Sequence, residues 1–395
     1  MKSLNGYVCV VTGATRGVGR SLAIGLGEAG ATVYITGRTL DLPSNQLSEK
    51  FGCLKETAKE IEARGGKAVP VAVDHSDDTQ VVGLFNRVRR EQAGRLDVLV
   101  NNAFSAAEFL LEDASSDRVY WEPSTTVRDP NDEWDIINRV GLRNSYTCCV
   151  LATRMMVDCR SESIIETVGP ASIKPSRCEK SARKSGNTER PTGIIINISS
   201  IGGTRRLFNV AFCAGKSALD RMCMEMSRDL VKRGVNVVSV SLLPGLVKTE
   251  SVISALNSGR APRMLIDALN AGLDFEPVST ADIFKFFENP NNRRLLVLMA
   301  FILRFSSVSL ELPGRVVAAM VSQPRNVLVK QSGRCLFLAD MAREFGLKDY
   351  DKKYPTNLRS IKTLLKLAGW RRLAFFVPSF VKVPCWLISL ASSKF

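Results

Sequence analysis

Continuous apolar runs alternate with helix-length stretches over most of the chain, and this alternation constrains the fold more than any other feature. The apolar runs span residues 7–11, 31–36, 68–73, 96–100, 193–198 and 235–243. Strands that are apolar throughout, rather than at every second position, are typical of parallel sheets whose two faces are both covered by helices. The sequence therefore predicts an α/β protein with a Rossmann-type, doubly wound parallel sheet.

Three stretches interrupt this alternation. Residues 114–132 are polar with aromatic interruptions and predict a long loop, whereas residues 161–192 lack an apolar period and predict a disordered surface insertion. Residues 295–303 are nine consecutive apolar residues. A membrane span needs about 20, so this run favours either a helix packed on the domain or an interfacial segment. We therefore divide the chain into three regions. Residues 1–285 form a Rossmann-type domain, residues 286–350 an insertion with the end of that domain, and residues 351–395 a basic, apolar C-terminal extension.

The scarcity of histidine excludes several kinds of site. His75 is the one histidine in 395 residues, and the ten cysteines form no CxxC pair. These counts exclude a His-rich metal site, a zinc site of the usual spacing, and a Ser-His-Asp triad away from His75, so we predict no metal. We interpret His75 itself as a hydrogen-bonded surface group rather than a catalyst. The first apolar run is too short for a signal peptide, which favours a reducing, cytosol-facing compartment with free thiols.

A glycine-rich turn separates the first apolar run from a helical pattern that starts near Arg20. Glycines let the backbone approach a phosphate closely, and the following helix directs its N–H groups and the positive end of its dipole at that phosphate. The order of strand, turn and helix is the context that a dinucleotide-binding motif requires. The candidate phosphate-binding residues are Gly13, Thr15, Arg16, Gly17, Val18 and Gly19.

The end of the second apolar run indicates which dinucleotide this turn would bind. NAD sites usually place an acid about 20 residues after the glycines, where it holds the ribose 2′-hydroxyl. Here Gly37 is followed by Arg38, and Arg16 lies within the turn. Because two guanidinium groups suit a 2′-phosphate, the sequence favours NADP(H) over NAD(H).

Four further motifs follow the glycine turn. They are Asp74, Asn101-Asn102-Ala103, Asn197-Ile198-Ser199-Ser200 with Lys216, and residues 244–249. Their order and spacing resemble the short-chain dehydrogenase/reductase (SDR) family over roughly residues 5–250. One SDR subgroup also shares Trp121-Glu122, Phe-Asn-Val at 208–210 and Ser-Lys-Phe at 393–395, which extends the resemblance nearly from end to end. The resemblance implies an oxidoreductase that transfers a hydride between nicotinamide and a carbonyl or a secondary alcohol.

The same resemblance implies which residues contact the cofactor. The glycine turn would hold the cofactor phosphates, and Asp74 and Asn101 would flank the adenine. Lys216 would bind the ribose hydroxyls. The nicotinamide amide and the pyrophosphate would meet residues of the last motif, namely Pro244, Gly245, Val247 and Thr249.

The general acid of the SDR family is a tyrosine four residues before the lysine, and this sequence has Phe212 there. A carbonyl that takes up a hydride must also take up a proton, which a phenyl ring cannot donate. General acid–base help contributes about 10²–10⁴ in rate. The family's asparagine position falls on Gly141, as it does in the subgroup. Tyr120, in a loop expected to overhang the substrate, is one candidate replacement acid. Cys213 is another, although one step along a helix turns a side chain by about 100°.

We therefore take Ser200, Phe212 and Lys216 as the catalytic residues, with Ser200 steadying the substrate carbonyl. Tyr120 and Trp121 are interpreted either as substrate contacts or as packing residues of their loop. The first functional interpretation is an NADP(H)-dependent SDR oxidoreductase with an impaired general acid, acting on a lipophilic, for example steroid-like, substrate. The alternative is a catalytically silent NADP-binding protein, a pseudoenzyme that serves as a sensor or scaffold at a membrane. Both interpretations leave homo-oligomer formation open.

Positive charge is concentrated at the C-terminus. The chain has 54 Lys and Arg residues against 39 Asp and Glu residues, a net charge of +15, and residues 352–395 hold nine basic residues and no acid. Because the same stretch is strongly apolar, it favours a membrane surface over nucleic acid. We expect peripheral attachment to the cytosolic side of the endoplasmic reticulum membrane, which the resemblance to the subgroup also implies. The alternative is a cytoplasmic protein whose tail packs against its own domain or a dimer partner.

Overall fold

One parallel sheet organises the molecule. The computed structural model describes residues 3–42, 52–113, 119–124, 126–127, 129–160, 190–204, 207–251, 308–357, 359–367, 371–378 and 380–384. The strands are β1 Val8–Val11, β2 Thr32–Gly37, β3 Lys67–Ala72, β4 Val98–Asn101, β5 Gly193–Ile198, β6 Val237–Leu243 and β7 Cys335–Phe337. Their order in space is β3-β2-β1-β4-β5-β6-β7, and all neighbours are parallel. The predicted Rossmann-type sheet is confirmed, and each predicted apolar run overlaps one of the first six strands.

Helices cover both faces of this sheet. Those between β1 and β5 are α1 Gly17–Glu28, α2 Leu54–Ala63, α3 Asp78–Glu91, α4 Ala107–Asp113, α5 Pro130–Asn138 and α6 Ser145–Arg160. Those after β5 are α7 Val210–Lys232, α8 Leu312–Val321, α9 Arg325–Gln331, α10 Leu338–Glu344, α11 Ile361–Leu367 and α12 Arg371–Phe376. A π-helical turn, Arg139–Asn144, joins α5 to α6, and a 3-10 turn, Ile201–Gly203, follows β5.

The loop predicted over residues 114–132 ends earlier than the sequence suggested. Helix α5 begins at Pro130, because Asp129 caps it by accepting a hydrogen bond from the Asn131 amide at 2.7 Å. Proline is favoured in the first turn of a helix, where its missing N–H has no partner to lose. The predicted insertion lies outside the described residues as far as residue 189, and so does the whole of the apolar run at 295–303.

The alternation of side chains along each strand divides the core into two layers. In β1, Val10 packs in the layer that α3 and α6 cover, whereas Val11 packs in the layer that α1 and α8 cover. Both side chains are fully buried. In a strand that is buried on both faces, no side chain points to solvent. This explains why the apolar runs in the sequence are continuous.

The backbones of helices α8 and α1 are in close contact. The Gly314 amide donates a hydrogen bond to the Ser21 hydroxyl at 3.1 Å. A Cβ atom on Gly314 would lie 2.1 Å from the Ser21 carbonyl oxygen, so only glycine fits there. Together with strand β7, this contact places residues from 308 onward in the same core as the first strand of the chain.

The C-terminal segment is held on the domain by one carboxylate. Asp340 of α10 accepts hydrogen bonds from Arg359 at 2.6 Å, from Asn357 at 2.5 Å and from Lys382. The Arg359 guanidinium also lies 5.1 Å from the centroid of the Phe337 ring. Because Arg359 precedes α11 and Lys382 follows α12, these bonds fix both ends of the helical pair. None of the helices in the described ranges is long and apolar enough to cross a membrane.

Candidate active site

A cleft of about 1190 Å³ opens at the carboxyl ends of the central strands. It lies where the strand order reverses between β1 and β4, the point at which open α/β sheets bind their ligands. The glycine turn, the ends of β2 and β3, the loop after β4 and the start of α7 all contribute side chains to its wall.

The glycine turn and the start of α1 form an anion-binding surface on one side of the cleft. Arg16 is extended, α1 begins at Gly17, and no side chain caps the helix or places an acid in its first turn. A Cβ atom on Gly19 would lie 2.2 Å from the Gly13 carbonyl oxygen, so the turn closes tightly only with glycine. The open N–H groups and the helix dipole fit the pyrophosphate of a dinucleotide.

A hydrogen-bond network fixes this turn to the end of β4. The Thr12 hydroxyl accepts hydrogen bonds from the backbone amides of Asn102 and Ala103, at 2.9 and 3.0 Å. The Asn102 side chain in turn donates to the carbonyl oxygens of Thr12 and Gly13, at 3.0 and 2.8 Å. The position of the turn is therefore set by groups that belong to another strand.

The ends of β2 and β3 place charge near the turn. Gly37 ends β2 without a carboxylate, and Arg38 and Arg16 both line the cleft. Asp74 accepts hydrogen bonds from the Ser76 amide at 2.9 Å and the Ser76 hydroxyl at 2.7 Å. The Ser76 amide is the main cause that holds the pKa of Asp74 below its ordinary value, with help from Arg38.

His75 lies in the interior rather than on the surface, which corrects the sequence interpretation. It is 5% exposed and bonds the Thr36 hydroxyl at 2.7 Å and the Asn144 side-chain oxygen at 3.1 Å. Burial lowers the pKa of His75, and the Asn144 bond and Asp74 oppose that shift. With both ring nitrogens engaged, His75 joins the end of β2 to the π-helical turn.

Lys216 and Phe212 lie on the same side of α7, facing the cleft. The Lys216 ammonium donates to the Ile198 carbonyl oxygen at 2.9 Å and lies 5.2 Å from the Phe104 ring centroid. Phe212 is 5% exposed, and its ring meets Phe104 and Phe208 edge to face, with centroids 5.9 and 5.2 Å apart. Burial lowers the pKa of Lys216 to about 8. Lys216 therefore has a pKa close to neutral pH, and its ammonium lies next to the aromatic rings. We call the rings of Phe104, Phe208 and Phe212 the aromatic wall.

The structure brings most of the predicted site residues together. Those that line the cleft are Gly13, Thr15, Arg16, Gly17, Val18, Gly19, Arg38, Asp74, Phe212, Lys216 and Thr249. Their assignment to a cofactor or substrate stays a prediction, but their positions agree with it.

Other predicted residues lie off the cleft wall. Asn101 is buried and donates to Asn197 at 2.9 Å, and Ser200 accepts from the Gly202 amide at 3.2 Å. Tyr120 and Trp121 stack edge to face on each other and are 72% and 71% exposed. None of these four side chains lines the described cleft, and the same holds for Pro244, Gly245 and Val247.

Sequence reasoning missed three side chains that shape the site. The side chain of Asn102 bonds the backbone of the glycine turn, whereas the sequence analysis assigned a role to its neighbour Asn101. Phe104 and Phe208 form the aromatic wall with Phe212. Phe208 has a φ of 59°, a left-handed backbone conformation that is uncommon for a residue with a side chain. The one available signal was its place in the 208–210 motif. Within the described ranges, no group of three His, Cys, Asp or Glu residues could hold a metal.

Comparison with known proteins agrees with this geometry. A family model described as short chain dehydrogenase matches residues 7–186 and 177–258. The human protein Dehydrogenase/reductase SDR family member 1 is 35% identical over 394 residues, which cover 99% of each chain. Its mouse counterpart is 34% identical over 395 residues, again with 99% of each chain covered.

Solved structures show the same fold. A short-chain type dehydrogenase/reductase from Mycobacterium marinum superimposes with a TM-score of 0.51 at 18% identity, covering 85% of this chain and 95% of that one. A 3-oxoacyl-[acyl-carrier protein] reductase from Brucella melitensis, solved in complex with NAD, gives a TM-score of 0.51 at 16% identity, covering 84% and 95%. At these identities the likeness concerns the fold alone.

The burial of His75 predicts a pH dependence of stability. Its pKa in the folded protein lies below the value of 6.5 for an exposed histidine. Between these two pKa values the unfolded chain binds more protons than the folded one. Stability is therefore fully present above about pH 6.5 and falls as the pH decreases, by at most about 1.4 kcal/mol per pH unit.

Urea unfolding measured between about pH 5 and pH 8 tests this dependence. His75→Gln lowers stability at every pH but removes the slope near pH 6, because glutamine does not titrate. Equal slopes for the native protein and the variant would show that His75 is not the group responsible.

Proposed function

Since the chain belongs to the short-chain dehydrogenase/reductase family, we propose that it is an NADP(H)-dependent oxidoreductase for carbonyls or secondary alcohols. The family binds an NAD(P) cofactor and acts on small substrates. One observation carries the proposal: a single cleft combines an uncapped helix N-terminus beside a glycine turn with a buried ammonium group, Lys216. The helix N-terminus suits the cofactor phosphates, and the Lys216 ammonium suits the nicotinamide end of the cofactor, where the substrate reacts.

The preference for NADP(H) rests on the charges at the end of β2. Arg38 is exposed beside the cleft, and Arg16 is one-third exposed at the turn, where it pairs with Glu108 at 3.5 Å. An exposed pair of that length contributes little and is easily exchanged for a phosphate. With Gly37 in place of an acid, the surroundings attract a 2′-phosphate and offer no carboxylate to a free hydroxyl.

The chain's own residues would divide the work of the reaction. A bound dihydronicotinamide supplies the hydride. Lys216 would hold a positive charge beside the reacting oxygen, and the rings of Phe104 and Phe212 lie next to its ammonium. In this partly apolar surrounding the ammonium would stabilise developing negative charge more strongly than it would in water.

We assign a lipophilic substrate to the outer part of the cleft. Besides the aromatic rings, the lining of the cleft includes Leu110, Leu111 and Ile136, together with the acids Asp132 and Asp135. Apolar surface of this kind gains free energy by covering apolar substrate, at about 25 cal/mol per Å². A flat, steroid-like molecule with one carbonyl matches a wall of this composition.

The cofactor preference is tested by reversing the charge at Arg38. NADPH should bind more tightly than NADH, by about 10- to 100-fold, because a charge-assisted bond contributes about 1.5–3 kcal/mol. Arg38→Asp should abolish or reverse that preference in fluorescence titrations. Arg90→Asp, the same charge change on α3 outside the cleft, should leave it intact. Equal affinities of the native protein for the two cofactors would overturn the assignment.

A catalytically silent NADP-binding protein is the second candidate function. The observation that favours it is Phe212, which fills the position of the family's acid and is enclosed by two other rings. Such a protein would bind the cofactor with the same preference for NADP(H). It would act as a sensor or scaffold at a membrane rather than as a catalyst. Turnover distinguishes the two candidates.

Phe212→Tyr tests whether an acid is what the site lacks. The variant adds one hydroxyl next to the Lys216 ammonium, whose charge would lower the pKa of the new phenol. Carbonyl reduction, followed as NADPH consumption, should rise by about 10²-fold or more, with NADPH affinity little changed. Phe212→Leu, which adds no hydroxyl, is the control. If native turnover is already fast and Phe212→Tyr leaves it unchanged, the acid position is misassigned.

We also propose that α12 attaches the protein to the cytosolic side of the endoplasmic reticulum membrane. Its side chains Phe375 and Phe376 are 78% and 79% exposed, and Leu373 is 55% exposed. In the sequence the helix begins with Arg371 and Arg372, and residues 352–395 contain no acid. Exposed apolar rings in a basic segment suit the interface of an anionic bilayer.

Vesicle flotation tests this attachment. The native protein should float with vesicles of phosphatidylcholine and phosphatidylserine, and high salt should release only part of it, because apolar burial is insensitive to salt. Phe375→Ser with Phe376→Ser should weaken binding by at least about tenfold. Tyr120→Ser with Trp121→Ser, which removes two equally exposed aromatic rings elsewhere, is the matched control. If both double variants float like the native protein, the tail is a packing element of a cytoplasmic protein.

A further inference from the structure

A second buried ionisable group, Asp220, stands behind Lys216. It lies four residues, about one helical turn, further along α7. Both of its carboxylate oxygens are shielded from solvent. Burial raises the pKa of Asp220, while the nearby Ser199, Ser241 and Lys216 oppose that rise.

This carboxyl is closely enclosed by the elements around it. A Cβ atom on Gly203 of the 3-10 turn would lie 2.7 Å from one of its oxygens. The buried hydroxyl of Ser199, which follows β5, and that of Ser241 in β6 interact with this carboxyl group, as does Cys335 of β7. Burying an ionisable carboxyl group costs stability, and these neutral groups compensate for only part of that cost, since the pKa of Asp220 stays raised.

We propose that Lys216 is itself the proton donor for carbonyl reduction in this chain, and that Asp220 is the positioning residue that keeps its ammonium charged. The inference rests on the proposed function and adds the source of the proton. The dihydronicotinamide supplies the hydride, which bonds to the carbonyl carbon while the C=O π pair moves to oxygen. An N–H bond of Lys216 breaks as the O–H bond of the alcohol forms. Lys216 is left as a neutral amine and regains its proton from water.

The other titratable groups of the cleft are poorly suited to donate this proton. Asp74 is held ionised by its bonds to Ser76, and His75 has both ring nitrogens occupied. Phe212 has no proton to give, and Tyr120 lies off the cleft wall. Four further acids also line the cleft, namely Asp129, Asp132, Asp135 and Glu250. Among the described residues of the cleft, Lys216 is the one whose charged group lies against the aromatic wall.

The surroundings of Lys216 explain how one residue could replace the missing phenol. Desolvation by the Phe104 and Phe212 rings favours the neutral amine, which brings the pKa to about 8, close to working pH. Asp220 acts in the opposite direction and raises the pKa of Lys216. The other groups around Lys216 and Asp220 carry no formal charge. They are the Ile198 carbonyl of β5, Ser199 after that strand, Ser241 of β6 and the titratable thiol of Cys335 in β7. Asp220 is therefore the charge that sets the balance.

The test is the pH dependence of kcat for the full-length protein, with NADPH and 4-nitrobenzaldehyde as the probe substrate. The native rate should be constant at neutral pH and fall about tenfold per pH unit above about pH 8, because the donor loses its proton. Asp220→Asn keeps the shape of the side chain but removes its charge. It should move the break in the profile down by about one pH unit, with KM and the Kd for NADPH within about twofold of native. Asp229→Asn, an exposed carboxylate further along the same helix, should leave the break in place.

Two further variants separate proton donation from simple charge. Lys216→Arg keeps a positive charge but holds its proton too tightly to donate it, so kcat should fall by about 10²-fold or more while NADPH still binds. In Phe212→Tyr, where a phenol becomes the donor, Asp220→Asn should no longer lower the pH of the break, because a less fully charged Lys216 depresses the pKa of the phenol less. A native profile without a break between about pH 7 and pH 10, or an unshifted break in Asp220→Asn, would overturn the inference while leaving the reductase function standing. Tight NADPH binding with no turnover at any pH would instead overturn the proposed function.

Discussion

The Thr12 hydroxyl is the point on which the site depends. It accepts two backbone hydrogen bonds from the loop after β4, and Asn102 returns two bonds to the backbone of the glycine turn. These four bonds span the place where the strand order reverses, so they join the glycine turn that precedes α1 to the loop after β4. The anion-binding surface, the aromatic wall and the buried ammonium are arranged around a junction that is itself free of charge.

Much of the fold followed from local patterns. A strand buried on both faces must be apolar throughout, so the first six strands were visible as continuous runs, and the glycine turn marked the start of α1. Strand β7 was not visible, because three residues, Cys335–Phe337, are too few to form a recognisable run. Helix α5 was hidden for a different reason: its start depends on one capping carboxylate, Asp129, in a stretch whose other residues favour a loop.

The site was predicted less completely than the fold. The glycine turn could be identified from its place between a strand and a helix, and the pair Phe212 and Lys216 from the resemblance to the SDR family. Contacts between distant segments could not: the bond of His75 to Asn144 and the packing of Phe104 on Phe212 depend on how β3, β4 and α7 converge. The burial of Asp220 belongs to this second group, since nothing in the sequence distinguishes it from Glu225 and Asp229, the other acids of the same helix.

The close contact between α1 and α8 also bears on how the chain is made. Ser21 and Gly314 are bonded although they are 293 positions apart. At ribosomal rates of about 5–20 residues per second, α1 emerges roughly 15–60 s before the helix that covers it. Leu22 and Leu26 are fully buried in the finished protein. Throughout that interval they can pack only against elements that precede α8 in the chain. Helix α1 is thus among the first elements to be synthesised and among the last to have its packing completed, so its apolar face stays incompletely covered until the end of synthesis.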